Sequence, residues 1–163
     1  MQIVVGLGSN LGDRLDLLQR TLDWLRTLDP GLQVAPFYES APVGCPPGSP
    51  PFLNTVAVLD WSGDPLDLLD RFQDWERQQG RPGVRPVNAP RPVDLDILLV
   101  GNRRIDHPRL AVPHPRMTGR LFVLEPLADL WPDFPLPHTG RTVQDHLREL
   151  RRTAADQTCR RLD

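Results

Sequence analysis

An α+β fold, an antiparallel sheet with helices packed on it, is predicted by three features of this 163-residue chain. Strand-like and helix-like segments alternate in the order strand, helix, strand, strand, helix, strand. Both helices carry start and stop signals. The apolar run that follows Asp94-Leu95-Asp96 reads as a buried strand with two carboxylates at its mouth.

Gln2 to Leu7 reads as the first buried strand, and Gly6 to Arg14 as a glycine-rich turn into a helix. Leu15, Leu18, Leu22, Leu25 and Leu28 recur at helical spacing. Asp13 and Asp16 sit near the positive end of that helix, and Asp29-Pro30-Gly31 stops it. Leu32 to Tyr38 reads as a second strand and Phe52 to Leu59 as a third. The connection between them, Ser40 to Pro51, is too long for a minimal hairpin and is a candidate substrate-facing segment. Asp64-Pro65 opens a second helix through Leu66, Leu69, Phe72 and Trp75 to Gln79, closed by Gly80. A loop rich in Pro and Gly, Arg81 to Pro92, then delivers Arg81, Arg85 and Arg91 to the Asp-x-Asp strand. Beyond it come a short strand near Arg104-Ile105, the loop Val112 to Arg116, a helix from Leu121 to Leu130 and a polar helix around Val143 to Leu150. This order is the ferredoxin-like βαββαβ pattern with a C-terminal extension. It places both early helices on one face of the sheet and leaves the other face to the long loops. No repeat or linker divides the chain, so residues 1–163 are expected to form one domain.

Composition narrows the chemistry. The chain has no lysine, so all 19 cationic side chains are arginine. A P-loop and a protein-kinase site both need a lysine, and both are excluded. Phosphate must therefore meet Arg, metal or main-chain N–H. A net charge of −2 without a basic block speaks against nucleic acid. Two cysteines, Cys45 and Cys159, with no metal-ligand spacing speak against a zinc site or a disulfide framework. The first residues run straight into Ile3-Val4-Val5 without a basic stretch, so no leader is expected, and no apolar run approaches a membrane span. A cytoplasmic protein, monomeric and without membrane contact, is expected.

Asp94 and Asp96 fall on one face of their strand, roughly 6.6 Å apart at a rise of about 3.3 Å per residue. Two carboxylates that close repel unless cations sit between them, and Mg²⁺, an oxygen-seeking ion held by one or two carboxylates plus phosphates, fits. The alternative is an edge strand whose solvent face happens to carry two aspartates. Arg81 and Arg91 flank the same loop, and guanidinium forks suit a transferring phosphoryl group; a surface role is the stronger reading for any single arginine, and loop position and nearness to Asp94 favour function most for Arg91. Phe52 with Asn54, and Phe122 after Arg120, could sandwich a flat heterocycle and read its edge; core packing is the alternative for either ring. His114, set between two prolines, could contact phosphate or serve as acid or base; a purely structural role in its loop is the alternative. The glycine-rich turn reads as structural, and Glu76 as a solvated helix charge.

Seven segments together resemble a known family: Gly8-Ser9-Asn10-Leu11-Gly12, Tyr38 to Gly44, Phe52-Leu53-Asn54, Glu76-x-x-x-Gly80-Arg81, Pro90-Arg91-x-x-Asp94-Leu95-Asp96-Ile97-Leu98, Pro113-His114-Pro115-Arg116 and Arg120-x-Phe122-Val123-Leu124-x-Pro126-Leu127. In this order they are similar to the 6-hydroxymethyl-7,8-dihydropterin pyrophosphokinases of folate biosynthesis, over about residues 3 to 135. The resemblance implies a ferredoxin-like fold and transfer of the β,γ-pyrophosphate of ATP to the pterin hydroxymethyl group, releasing AMP. It implies two Mg²⁺ ions on Asp94 and Asp96, and Arg81 and Arg91 on the transferring phosphates. Gln73, Glu76, Ile97, His114 and Arg120 would belong to the ATP side. Ser40, Ala41, Val43, Gly44, Phe52, Asn54, Asp94 and Phe122 would belong to the pterin side. The sequence departs from many members at Val87-Asn88-Ala89, where they carry a basic residue and a tryptophan, and at Pro115, where some carry tyrosine. The rival readings are a different two-metal phosphotransferase, a sugar-nucleotide transferase using Asp-x-Asp, and a binding domain without turnover.

Overall fold

The computed structural model describes residues 1–42, 47–80 and 92–162. Strand β1 (Gln2–Ser9) leads to helix α1 (Arg14–Leu28), then β2 (Gln33–Val34), β3 (Tyr38–Ser40), β4 (Phe52–Asp60), α2 (Pro65–Gln78) and β5 (Asp94–Val100). A hairpin of β6 (Ile105–His107) and β7 (Leu110–Val112), helices α3 (Leu121–Leu130) and α4 (Val143–Thr153), and strand β8 (Cys159–Arg161) complete it. The main sheet runs β5-β1-β4-β3-β8, with β2 also pairing with β4. Each recorded pairing is antiparallel.

The helices begin where the sequence signals them. The Asp13 carboxylate accepts the Asp16 N–H to cap α1, and Asp64 accepts the Leu66 N–H to cap α2 with Pro65 behind it. Gly12 turns the chain into α1 at φ 74, a left-handed conformation suited to glycine. Leu18, Leu22 and Leu25 of α1 and Leu68 and Phe72 of α2 pack on Ile3, Val5 and Leu7, on Leu53, Ala57 and Leu59, and on Leu95 and Ile97. Each such leucine contributes about 1.5–3 kcal/mol by leaving water.

Two expectations need correction, and one segment without an expected role finds one. The single strand expected over Leu32 to Tyr38 is split into β2 and β3, because Pro36 between them has no N–H to give a ladder. The face opposite α1 and α2 is covered by α3 and α4 rather than by loops: Val4, Val56, Val58, Leu98 and Leu99 pack there against Leu124, Leu127, Val143 and Leu147. The C-terminal residues, given no role by the sequence, add β8 to the free side of β3. A register shift between Val4 and Val5 against β5 turns the neighbours Leu98 and Leu99 to the same layer. Among the described residues no helix is long and apolar enough to cross a membrane.

Candidate active site

Antiparallel pairing brings the end of β1 and the starts of β4 and β5 to one end of the sheet. Gly8 lies between Asn54 on β4 and Asp94 on β5, and Gly6 between Val56 and Asp96. Alternation along the strands turns Phe52, Asn54, Asp94 and Asp96 toward the α3 side. Two glycines in the middle row leave that surface without side chains, and a cavity of about 560 Å³ opens over them. A Cβ at Gly8 would stand 3.1 Å from Asn54 Oδ1 and 3.7 Å from Phe52 Cδ1. Gly8, expected in a structural turn, is therefore a strand residue like Gly6, and the two form the cavity floor.

Asn54 is buried, and its Nδ2 donates to Ser40 Oγ at 2.7 Å. That bond turns Oδ1 toward the space above Gly8, as a fixed acceptor at the cavity edge. The neighbouring Tyr38 hydroxyl donates to Asp129 Oδ2 of α3 at 2.5 Å, with its pKa raised by burial and then by that bond. Arg151 of α4 grips Glu125 through two bonds of 2.9 and 2.8 Å. Both contacts anchor α3, whose first turn carries Phe122 to the opposite wall. The Arg120 guanidinium lies 5.4 Å from the centroid of the Phe122 ring. Pro126 removes the N–H that would otherwise bond the Phe122 carbonyl within the helix. At the mouth, Arg14 donates to the Pro51 carbonyl and to Glu39 Oε2, each at 3.0 Å.

Asp94, Asp96, Asn54, Phe52, Phe122, Arg120 and Ala41 thus line one cavity, and Ser40 stands behind Asn54. His114 lies beside it. Its N–H donates to the Leu98 carbonyl at 2.9 Å, and its Nδ1 accepts the Arg116 N–H at 3.1 Å. The proton of the neutral ring accordingly sits on Nε2. Burial first, then the charges of Arg120 and Arg116, push its pKa below 6.5, against the pull of Asp94.

Three residues expected on the nucleotide side do not line this cavity. Glu76 is buried, not a solvated helix charge: its Oε2 accepts the Leu95 N–H at 2.9 Å, at the edge of β5 away from β1. Gln73, one turn earlier, accepts from Arg109, which also bonds Asp70 at 2.5 Å. Ile97 packs its side chain in the α1 and α2 layer, on the face opposite the aspartates, which leaves only its main chain for a nucleotide. Arg81, Arg91, Val43 and Gly44 lie outside the described residues.

Cavity residues not assigned to the site from the sequence include Gly6, Gly8, Arg116, Thr118, Gly119 and Gln157. The two-residue spacing of the glycines was a usable signal; Gln157 had none. Among the described residues no group of three or more His, Cys, Asp or Glu could enclose a metal ion. The donor set is the Asp94 and Asp96 oxygens, which suits a hard cation that takes its other ligands from water and phosphate.

The family model described as 7,8-dihydro-6-hydroxymethylpterin-pyrophosphokinase (HPPK) matches residues 4–132. The chain is 48% identical over 152 residues to the 2-amino-4-hydroxy-6-hydroxymethyldihydropteridine pyrophosphokinase of Pseudomonas aeruginosa, covering 91% of this chain and 89% of that one. It is 40% identical over 129 residues to the protein of the same name from Bacillus subtilis, covering 77% and 75%. A crystal structure of an HPPK-DHPS in complex with substrates superposes with a TM-score of 0.72 at 12% identity. That match covers 91% of this chain and 43% of the other, so this chain spans less than half of that longer protein, and the likeness speaks for the fold alone.

Proposed function

The chain belongs to the 7,8-dihydro-6-hydroxymethylpterin-pyrophosphokinase family, and on that premise we propose that the cavity over Gly6 and Gly8 is where it transfers pyrophosphate from ATP to the pterin. The activity is that of a pyrophosphokinase, a transferase acting on hydroxymethyldihydropterin in folate biosynthesis. One observation carries the assignment of the site: a carboxylate pair, a fixed amide acceptor and two phenyl rings line a single cavity.

The flat pterin lies between Phe52 and Phe122, over the bare backbone of Gly8, and Asn54 Oδ1 accepts from its N–H edge. Ser40, Ala41, Val43 and Gly44 complete that side. The hydroxymethyl group then points across β1 toward Asp94 and Asp96 on β5. Those carboxylates would hold two Mg²⁺ ions, which supply positive charge against the triphosphate when bound. The hydroxymethyl oxygen attacks the β-phosphorus. The bond from that phosphorus to the oxygen bridging to the α-phosphorus breaks, AMP leaves with the electron pair, and the hydroxyl proton is released to solvent. Such a transfer needs positioning and charge more than a strong base. Arg120, Arg81 and Arg91 provide charge from the chain itself, and neutral His114 offers its Nε2–H to a phosphate oxygen. Gln73, Glu76 and the Ile97 main chain flank the nucleotide at the outer edge of β5.

The same reading takes the order β5-β1-β4-β3, with α1 and α2 on one face, as a ferredoxin-like core in a single domain. It takes the chain as a cytoplasmic monomer. Incubation with ATP, Mg²⁺ and 6-hydroxymethyl-7,8-dihydropterin is expected to yield AMP and the pterin pyrophosphate; ADP, or no nucleotide turnover, contradicts the proposal.

A further inference from the structure

We propose that Gln157, which lies beyond the segment matched by the family model, is a positioning residue that fixes the Arg120 and Phe122 wall of the cavity. Helix α3 starts at Leu121 with Arg120 at its N-cap, and Arg120 offers no capping side-chain bond. The exposed donors of that first turn need partners. Gln157 supplies one from 36 residues away: its Oε1 accepts the Leu121 N–H at 3.0 Å. Its Nε2 donates to the Gly119 carbonyl at 2.8 Å. The two bonds fall on the peptide groups before and after Arg120, so one side chain grips both sides of that residue. Arg120 in turn holds its guanidinium 5.4 Å from the Phe122 ring centroid.

Gln157 is itself held firmly. Its N–H donates to the Ala154 carbonyl at 3.1 Å, at the end of α4. The adjacent Thr158 carbonyl accepts the Ala41 N–H at 3.3 Å, and β8 then pairs with β3. The C-terminal segment thus ties the Ser40-Ala41 side of the cavity mouth to the Gly119–Phe122 side. An amide that bonds a donor and an acceptor at once, and also lines the cavity, is a supporting shell for the ring that stacks on the substrate.

This inference rests on the pterin reading, and the test separates the two. Gln157→Met keeps the length of the side chain and loses both bonds. It is expected to weaken pterin binding about five- to tenfold, with the KM for ATP little changed and the thermal midpoint lowered by a few degrees as the Leu121 N–H loses its partner. Acting through Phe122, it is expected to add almost nothing when introduced into Phe122→Ala. If Gln157→Met does not fold, Gln157→Glu, which keeps the acceptor for Leu121 and loses the donor to Gly119, carries the same cycle with a smaller loss. Unchanged pterin affinity, or an equal loss with and without Phe122, overturns the inference. Absence of AMP release by the parent enzyme overturns the pterin reading instead.

Discussion

Replacing Gly8 with alanine adds one methyl group to the cavity floor, and the structure sets the size of the consequence. Gly8 has no positive φ, so the backbone accepts alanine. In a strand that exchange is worth about 0.5–1 kcal/mol in favour of folding. Against it stands the contact of the new Cβ with Asn54 Oδ1 at 3.1 Å. Asn54 is 3% exposed and tied to Ser40 at 2.7 Å, so it yields by only a few tenths of an ångström. Crowding of that kind costs on the order of 1 kcal/mol, and the two effects leave folding stability nearly unchanged. Binding is different. On the proposed reading the methyl occupies the surface on which the heterocycle would lie, and overpacking there of about 1–3 kcal/mol would weaken pterin affinity roughly five- to 150-fold. Gly6→Ala is the companion variant: its Cβ would stand 3.3 Å from Cδ1 of Leu98, a fully buried core side chain, so it is expected to lower folding stability as well. Calorimetric titration of the pterin into both variants, with a thermal melt of each, measures the difference. Pterin affinity within about twofold of the parent in a folded Gly8→Ala protein refutes the assignment of this floor.

Asp94→Ala and Asp96→Ala are each expected to lower turnover at least a thousandfold with the fold retained, about 4 kcal/mol of transition-state stabilisation; steady-state AMP release checks this, and an active Asp96→Ala enzyme removes the two-metal reading. Glu76→Ala leaves the Leu95 N–H buried without its 2.9 Å partner and should cost about 1–3 kcal/mol in denaturant unfolding, whereas Glu76→Gln keeps an acceptor and should cost less. His114 is held neutral in the fold, so the unfolded chain takes up its proton first as pH falls below 6.5, and its contribution favours unfolding increasingly from there down to the folded midpoint. Its titration followed by NMR should give a midpoint below 6.5 that rises when an ATP analogue offsets Arg120 and Arg116; a midpoint above 6.5 in the free enzyme contradicts this.

The parts of this molecule that were legible in the sequence are those governed by local rules. Leucine spacing and the Asp13 and Asp64 caps mark α1 and α2, and strand alternation alone puts Asp94 and Asp96 on one face. What escaped depends on partners distant along the chain. Glu76 looks like any helix carboxylate until Leu95, 19 residues on, brings its N–H to it. Strand β8, Cys-Arg-Arg, has no apolar alternation and exists because β3 offers an unpaired edge. Gly6 and Gly8 were visible as glycines, but their role as a floor follows from the strands on either side.

The most direct test is a crystal structure of the enzyme with the hydroxymethyl pterin, Mg²⁺ and a non-transferable ATP analogue. The expected result has the pterin ring between Phe52 and Phe122 above Gly8, its N–H edge on Asn54 Oδ1, and the β-phosphate beside Asp94 and Asp96. A pterin bound elsewhere, or phosphates remote from the two aspartates, contradicts the account.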